Sequence, residues 1–335
     1  MKKSLIALAA LAAVTAASAQ STVTISGTFG AGYQSYETGA VAAVAPVTAT
    51  ASVNGVLGTA AVAATTNKGI APVTDASVKF TATEDLGGGL KATAAGQFAM
   101  NASRGGNVTK EDSSVTLSGG FGSVAFTSTR SSDTAIAANV FASWMPITSM
   151  YATVSSRAAG DVLSYTSPAI SGFNFSLSQF EVTEGVVTSV KKVNILGASY
   201  TQGPLTVMFA QKSTGGLTAA EVTAGAKKNN TELAATYDLG IAKVGLGYDS
   251  ATSTDTTKYT NSNMTSYGVS VPLGAVTFGI NGAKRGANSF VDAGVNYDLS
   301  KRTSVRLAYG DLTGTSSSTA NNTGKQYRVG VLHTF

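Results

Sequence analysis

The stretch TVTISGTFGAGY, residues 22–33, sets the strongest limit on what this chain can fold into. Val23, Ile25, Phe29, Ala31 and Tyr33 fall on one parity, and Thr22, Thr24, Ser26, Thr28 and Gly30 on the other. A period of two is the mark of a β-strand with one apolar and one polar face. The pattern recurs around Val78, Phe80 and Ala82, around Val115 and Leu117, around Phe173, Phe175 and Leu177, and around Val276, Phe278 and Ile280. Tight turns are expected at Gly87 to Gly89, Gly119 to Gly122, Pro168 to Gly172, Gln202 to Pro204, Asp238 to Gly240, Pro272 to Ala275 and Leu299 to Arg302. Glycine supplies the positive φ that short hairpin loops need. Longer polar segments, such as 214–227, 252–261 and 313–323, fall between these turns. Seven tight turns joining fourteen strands, with one more strand at each end, predict about sixteen strands in an antiparallel up-and-down meander.

An even strand count lets the last strand pair with the first and close a barrel without edges. The inside of so wide a barrel cannot be filled by side chains. An apolar interior would be a hydrophobic void. The consistent arrangement turns the apolar parity toward lipid and the small hydroxylated parity toward a water channel. The fold class is therefore all-β: a transmembrane antiparallel β-barrel. Composition agrees. Charged residues are 12% of the chain, with 37 Gly and 6 Pro, an alphabet poor in helix formers and in the Lys/Glu pairs that support long helices. Hydrophobic residues at 43% argue against disorder.

Residues 1–19 read as a cleaved export signal: basic Lys2 and Lys3, an apolar run from Leu5 to Val14, and the small-residue site Ala17-Ser18-Ala19. The run is short for a membrane span, which needs about 20 residues. The expected domains are thus a signal peptide, 1–19, and a barrel, 20–335. Without Lys2 and Lys3, 21 basic residues face 18 acidic ones. That is no clustered basic face, so no nucleic-acid partner is expected.

Tyr237 and Tyr297 each stand at a strand end just before a tight turn, and Tyr200 stands before Gln202-Gly203. Such tyrosines suit an interfacial girdle, with the ring at the lipid headgroups and the hydroxyl in water. Three segments then carry a family resemblance: Ser21 to Gly27, the run Tyr297-Asp298-Leu299-Ser300-Lys301-Arg302-Thr303, and the terminal Val329 to Phe335. In them the chain resembles the Gram-negative general porins, of the Neisseria- and Burkholderia-like type. The resemblance implies a sixteen-stranded barrel in the cell outer membrane, a homotrimer, and passive diffusion of small hydrophilic solutes and ions. It also implies a third external loop folded inside as a constriction. Outer-membrane lipid and lipopolysaccharide would surround such a barrel.

The gap between Gly122 and Pro168 is the longest after the first turn and is where the family places that loop. It holds Ile136, Val140, Phe141, Trp144 and Met145, more apolar than a solvated loop usually is. Asp133 is the only acid between Ser131 and Met150. The family's Pro-Glu-Phe-Gly type of signature is absent there. Residues 38–74, rich in Ala and Val, either form a small hairpin or cover the mouth. Alternation selects Lys79, Lys91, Arg306 and Arg328 as lumen-facing charges on the second, third, fifteenth and sixteenth expected strands. Arg130 and Arg157 flank the loop. A basic wall with Asp133 opposite would set up a transverse field and a weak anion preference.

Little points to chemistry. With no Cys and a single His, the chain has no thiolate metal site, no thiol nucleophile and no His-based dyad. It has neither an H-E-x-x-H nor a G-x-x-x-x-G-K-[ST] motif. No cofactor and no catalysis are expected. The alternatives are a barrel serving mainly as adhesin or surface antigen, a substrate-specific channel, and a soluble β-sandwich. In the closing stretch YRVGVLHTF, Tyr327, Val329, Val331, His333 and Phe335 share the lipid parity. By the resemblance this strand looks like the signal read by the outer-membrane barrel assembly machinery. Leu332 is an apolar residue on the polar parity.

Overall fold

A computed structural model describes residues 21–38, 65–71, 76–100, 108–130, 134–142, 159–182, 192–219, 228–250, 263–313 and 324–335. The strands are β1 (Thr22–Thr38), β2 (Thr65–Ala71), β3 (Ala76–Gly87), β4 (Leu90–Met100), β5 (Val108–Gly119), β6 (Gly122–Arg130), β7 (Ala159–Thr166), β8 (Phe173–Val182) and β9 (Lys192–Gln202). They continue as β10 (Leu205–Gly215), β11 (Asn229–Asp238), β12 (Lys243–Asp249), β13 (Met264–Leu273), β14 (Val276–Arg285), β15 (Asn288–Asp298), β16 (Thr303–Thr313) and β17 (Gly324–Thr334). A 3-10 turn covers Thr134–Ala138.

All seventeen belong to one sheet, and from β4 onward each strand pairs antiparallel with the one before it. β2 and β3 share one position in the wall. The far half of β1 pairs with β2, as in Gly32↔Ala71, and its near half pairs with β3, as in Ser26↔Lys79. The wall is therefore sixteen strands around. Closure is antiparallel between β1 and β17, from Thr28↔Thr334 to Tyr36↔Gln326. Pairing the first strand with the last removes the two terminal edges that would otherwise meet lipid, where an unpaired backbone group would cost several kcal/mol, on the order of a lost hydrogen bond in hydrocarbon. Of the segment 38–74, residues 65–71 form part of the wall as β2; 39–64 and 72–75 lie outside the described residues.

All seven expected tight turns separate strands. The sharpest is Gly87-Gly88-Gly89, with φ of 79°, 61° and 81°, a run that only glycine adopts without strain. Aspartates before turns add a local anchor: Asp85 accepts the Gly87 N–H at 2.9 Å, and Asp238 accepts the Gly240 N–H at 2.8 Å. The opposite end differs from the expectation in one place. β14 and β15 are joined there by Gly286-Ala287 alone, with Arg285 opposite Asn288 in register.

The apolar parity faces outward. Val23, Leu246 and Phe126 are 71%, 70% and 63% exposed, while the lumen-facing Asn281 and Asp292 of β14 and β15 are buried. At the tight-turn end, outward aromatics form a belt. The Tyr200 and Phe173 rings lie 4.4 Å apart, and the Tyr165 hydroxyl donates to the Phe121 carbonyl at 2.8 Å. Toward the other end stand Tyr33, Tyr248, Tyr267, Tyr309 and Tyr327, of which the last two pack at 5.1 Å. Inside, the wall is not uniformly polar. Met264, Ala283, Phe290, Ala308 and Leu312 form a buried cluster with Ala135 of the 3-10 turn, and Ile136 packs against it.

Candidate functional site: a loop docked inside the barrel

Residues 134–142 leave the wall after β6 and cross to the inside of β11–β15. The wall has been cleared for them. At Gly245, Gly247 and Gly268 a Cβ would overlap the backbone of Ala138, Ala135, and Ala138 with Val140. At Gly279 it would enter the ring of Phe141. All four glycines lie on the lumen parity of β12, β13 and β14, so the loop lies directly against bare backbone.

Polar side chains fix its two ends. At the start, the Thr134 N–H donates to Glu232 Oε2 at 2.7 Å, and the Ser266 hydroxyl bonds the Ala135 carbonyl. At the end, one carboxamide reads a whole residue. Asn281 Oδ1 accepts the Phe141 N–H at 3.1 Å, and its Nδ2 donates to the Phe141 carbonyl at 2.9 Å. Asn296 Nδ2 donates to the Ala142 carbonyl at 3.0 Å. In between, Asn139 Nδ2 donates to the Tyr267 carbonyl at 2.7 Å.

Glu232 belongs to a buried chain of charges. Lys212 pairs with it, Asn230 Nδ2 bridges Glu232 and Asp249 at 3.4 and 3.0 Å, and Asp249 pairs with Arg285. Two cations offset two carboxylates, which is what allows four ionised groups to sit at low exposure. Alternation alone did not single these residues out. In hindsight the signal is their crowding: Asn230, Glu232, Asp249, Asn281, Asp292 and Asn296 all occupy lumen positions of neighbouring strands.

The lumen charges selected from sequence are distributed unevenly. Arg306 reaches the loop: its Nη1 lies 3.4 Å from the Ala142 carbonyl, and its Nε donates to Ser304 Oγ at 3.0 Å. Arg328 is buried one strand over, opposite Ala308, and donates to Gln34 Oε1 at 3.2 Å. The two arginines are diagonal neighbours across β16 and β17. Lys79 is exposed in the lumen between Ser26 and Gln97, and Gln97 in turn donates to Glu111 at 2.7 Å. Lys91 stands one residue into β4, opposite Asp85, at the tight-turn mouth and away from the loop. Arg130 closes β6 opposite Ala159. Asp133, Arg157, Trp144 and Met145 lie outside the described residues.

The closing seam is equally specific. Gly27 and Phe335 exchange both backbone bonds, at 3.0 and 3.1 Å, and the Phe335 ring stacks on Phe29 at 5.9 Å. A Cβ at Gly27 would collide with that ring. Tyr327, Val329 and Val331 face outward, and His333 Nδ1 shares a hydrogen bond with Thr303 Oγ1 at 2.9 Å. Leu332 is buried on the inner parity, between Gly30 and Ser304 in register.

A closed sixteen-position barrel with a loop folded against its inner wall is the architecture of a diffusion channel. The family model for Gram-negative porins matches residues 7–317. The chain belongs to the Gram-negative porin family. It is an outer-membrane porin. Solved porins share the fold. The anion-selective porin from Comamonas acidovorans superposes with a TM-score of 0.62 at 21% identity, covering 94% of this chain and all of that one. A loop L8 deletion form of OmpT, an outer membrane protein of Vibrio cholerae, gives 0.59 at 14% identity, covering 94% and 99%. A mutant porin of Rhodopseudomonas blastica gives 0.56 at 14%, covering 94% and 100%. No curated protein sequence matches this chain.

Proposed function

We propose that this porin passes small hydrophilic solutes and ions by passive diffusion with a weak preference for anions. The observation that carries the preference is Arg306. It is held over the loop backbone at Ala142, with Arg328 beside it in the same wall. A fixed positive charge at the narrowest, least hydrated part of a channel raises the local concentration of anions more than the same charge at a wide mouth. The similar porin from Comamonas acidovorans is described as anion-selective. Lys79 adds to the same sign from the adjoining wall, and Lys91 from the mouth; Asp133, Arg130 and Arg157 are the further charges assigned to the loop region. The working form is a homotrimer, exported by residues 1–19. It is inserted by the barrel assembly machinery through the strand carrying Tyr327, Val329, Val331, His333 and Phe335.

Planar-bilayer recording tests the reading. Stepwise ohmic currents and a reversal potential of anion-selective sign in a potassium chloride gradient are expected. Clear cation selectivity would refute the preference, and the absence of any current would refute the open channel.

A further inference from the structure

Ser304 and Arg306 stand two residues apart on β16, so both present to the lumen. Ser304 is buried, and its Oγ accepts from Arg306 Nε at 3.0 Å. A second acceptor is the Ala142 carbonyl, 3.4 Å from Nη1. Asn296, opposite Arg306 in register on β15, fixes that carbonyl with its Nδ2 at 3.0 Å. A guanidinium is flat and rigid, and its five N–H groups keep fixed directions. One bond from Nε and one from Nη1 therefore set the plane of the whole group. Both acceptors are uncharged oxygens, which orient the cation and add no opposing charge. Lys212 and Arg285 of the same lumen are held differently, by the carboxylates of Glu232 and Asp249.

A carboxylate is nevertheless within reach of Arg306. Asp298, on the lumen parity at the end of β15, lies opposite Ser304 in register and so diagonal to Arg306. Diagonal neighbours on antiparallel strands are about 7–8 Å apart, a gap that a long side chain closes. Asp298 is exposed. A swing of Arg306 toward it would join the two charges. A joined pair acts on a passing ion as a dipole, whose field falls off faster than that of a single charge. In the structure the guanidinium turns instead to Ser304 and Ala142.

We propose that Ser304 is a positioning residue for ion selectivity: its hydroxyl keeps the Arg306 guanidinium aimed at the channel beside the loop and away from Asp298. A buried hydroxyl costs free energy unless it is hydrogen-bonded, and Arg306 Nε supplies the bond. The same contact thus satisfies the serine and aims the arginine. The inference rests on the anion preference read above and adds the group on which the aim of the charge depends.

Reversal potentials of single and paired variants test it, recorded from the full barrel in planar bilayers under a potassium chloride gradient. Unheated gel migration confirms that each variant is folded. Ser304→Ala, which removes no charge, should lower the anion-to-cation permeability ratio by most of the amount that Arg306→Gln does. Ser304→Thr, which keeps a hydroxyl there, should hold the ratio of the unsubstituted protein. Added to Arg306→Gln or to Asp298→Asn, Ser304→Ala should change the ratio no further. An unchanged ratio in Ser304→Ala, while Arg306→Gln lowers it, overturns the positioning role and leaves the preference standing. A fall of the same size in the Arg306→Gln or the Asp298→Asn background also overturns it, as does a fall with threonine equal to that with alanine. If Arg306→Gln itself leaves the ratio unchanged, the preference assigned to Arg306 fails as well.

Discussion

From β11 to β15 the lumen positions include Asn230, Glu232, Gly245, Gly247, Asp249, Ser266, Gly268, Gly279, Asn281 and Asp292. From β3 to β6 they include Thr81, Thr83, Thr93, Ala95, Ser114, Thr116, Ser118 and Thr127. Both walls obey the same alternation, and both present polar or small groups to the channel. The first has gaps where side chains would be, and long polar groups beside the gaps; the second is mostly hydroxyls and methyls, with Lys79, Gln97 and, at the mouth, Lys91 as its long groups. In the first, Asn230, Glu232, Asp249 and Asn281 have partners in the loop or in the charge chain, and Asp292 accepts from Asn281 Nδ2 at 3.3 Å. In the second, the contacts are short-range, such as Thr83 Oγ1 to Thr93 Oγ1 at 3.3 Å. The contrast shows what converts a pore wall into a docking wall: missing Cβ atoms together with buried groups that need partners.

Breaking the docking wall is expected to cost far more than disturbing the other one. Glu232→Ala should have the largest effect. It leaves Lys212 without its carboxylate and the Thr134 N–H without an acceptor, a loss of roughly 3 kcal/mol for a buried pair cut on one side. Denaturant unfolding of the purified barrel and excess noise in the open-channel current would register it. Glu232→Gln, which keeps an acceptor for Thr134, should cost less. If the two variants match wild type in both measurements, Glu232 does not hold the loop.

Gly279→Val comes next. Its side chain enters the site of the Phe141 ring, an overpacking worth about 1–3 kcal/mol, and the loop end should shift and change the single-channel conductance. Ala95→Val, a comparable enlargement of the lumen wall on β4, should leave conductance nearly unchanged. Equal shifts in the two would erase the distinction between the walls. Arg306→Gln should change selectivity with little effect on stability. The anion-to-cation permeability ratio is expected to fall by roughly half, since one focused charge is lost, as measured by reversal potential. Lys91→Gln, at the wide mouth, should move the same quantity least. A larger effect from Lys91 than from Arg306 would relocate the selective point to the tight-turn end.

The wall itself was legible because alternation and glycine turns are local signals. Val23 to Tyr33 alone declares a two-faced strand, and Gly87-Gly88-Gly89 alone declares a turn. The Gly286-Ala287 connection was not legible. Its neighbours Arg285 and Asn288 look like loop residues, and their burial on the lumen side depends on partners far along the chain. The docked loop was half legible. Its unusual apolarity, with Ile136 and Phe141, pointed inward, but nothing local says which strands receive it. That depends on Glu232 lying 98 residues from Thr134 and Asn281 lying 140 residues from Phe141. Lys79 and Lys91 have the same parity and similar surroundings in sequence. Only the register separates a residue inside the barrel from one at its rim.

Apart from the Asn139 carboxamide, the bonds that hold the loop share one property. Thr134 contributes its N–H, Ala135 and Ala142 their carbonyls, and Phe141 both groups. The wall grips the path of the main chain and is largely indifferent to the letters written on it. Beyond that, only the small size of Ala135 and Ala138, the Asn139 carboxamide, the apolar Ile136 and the ring of Phe141 are demanded. The remaining loop positions are free to drift or to be rewritten by an engineer, so a lineage could retune what the channel admits while the mounting stays the same.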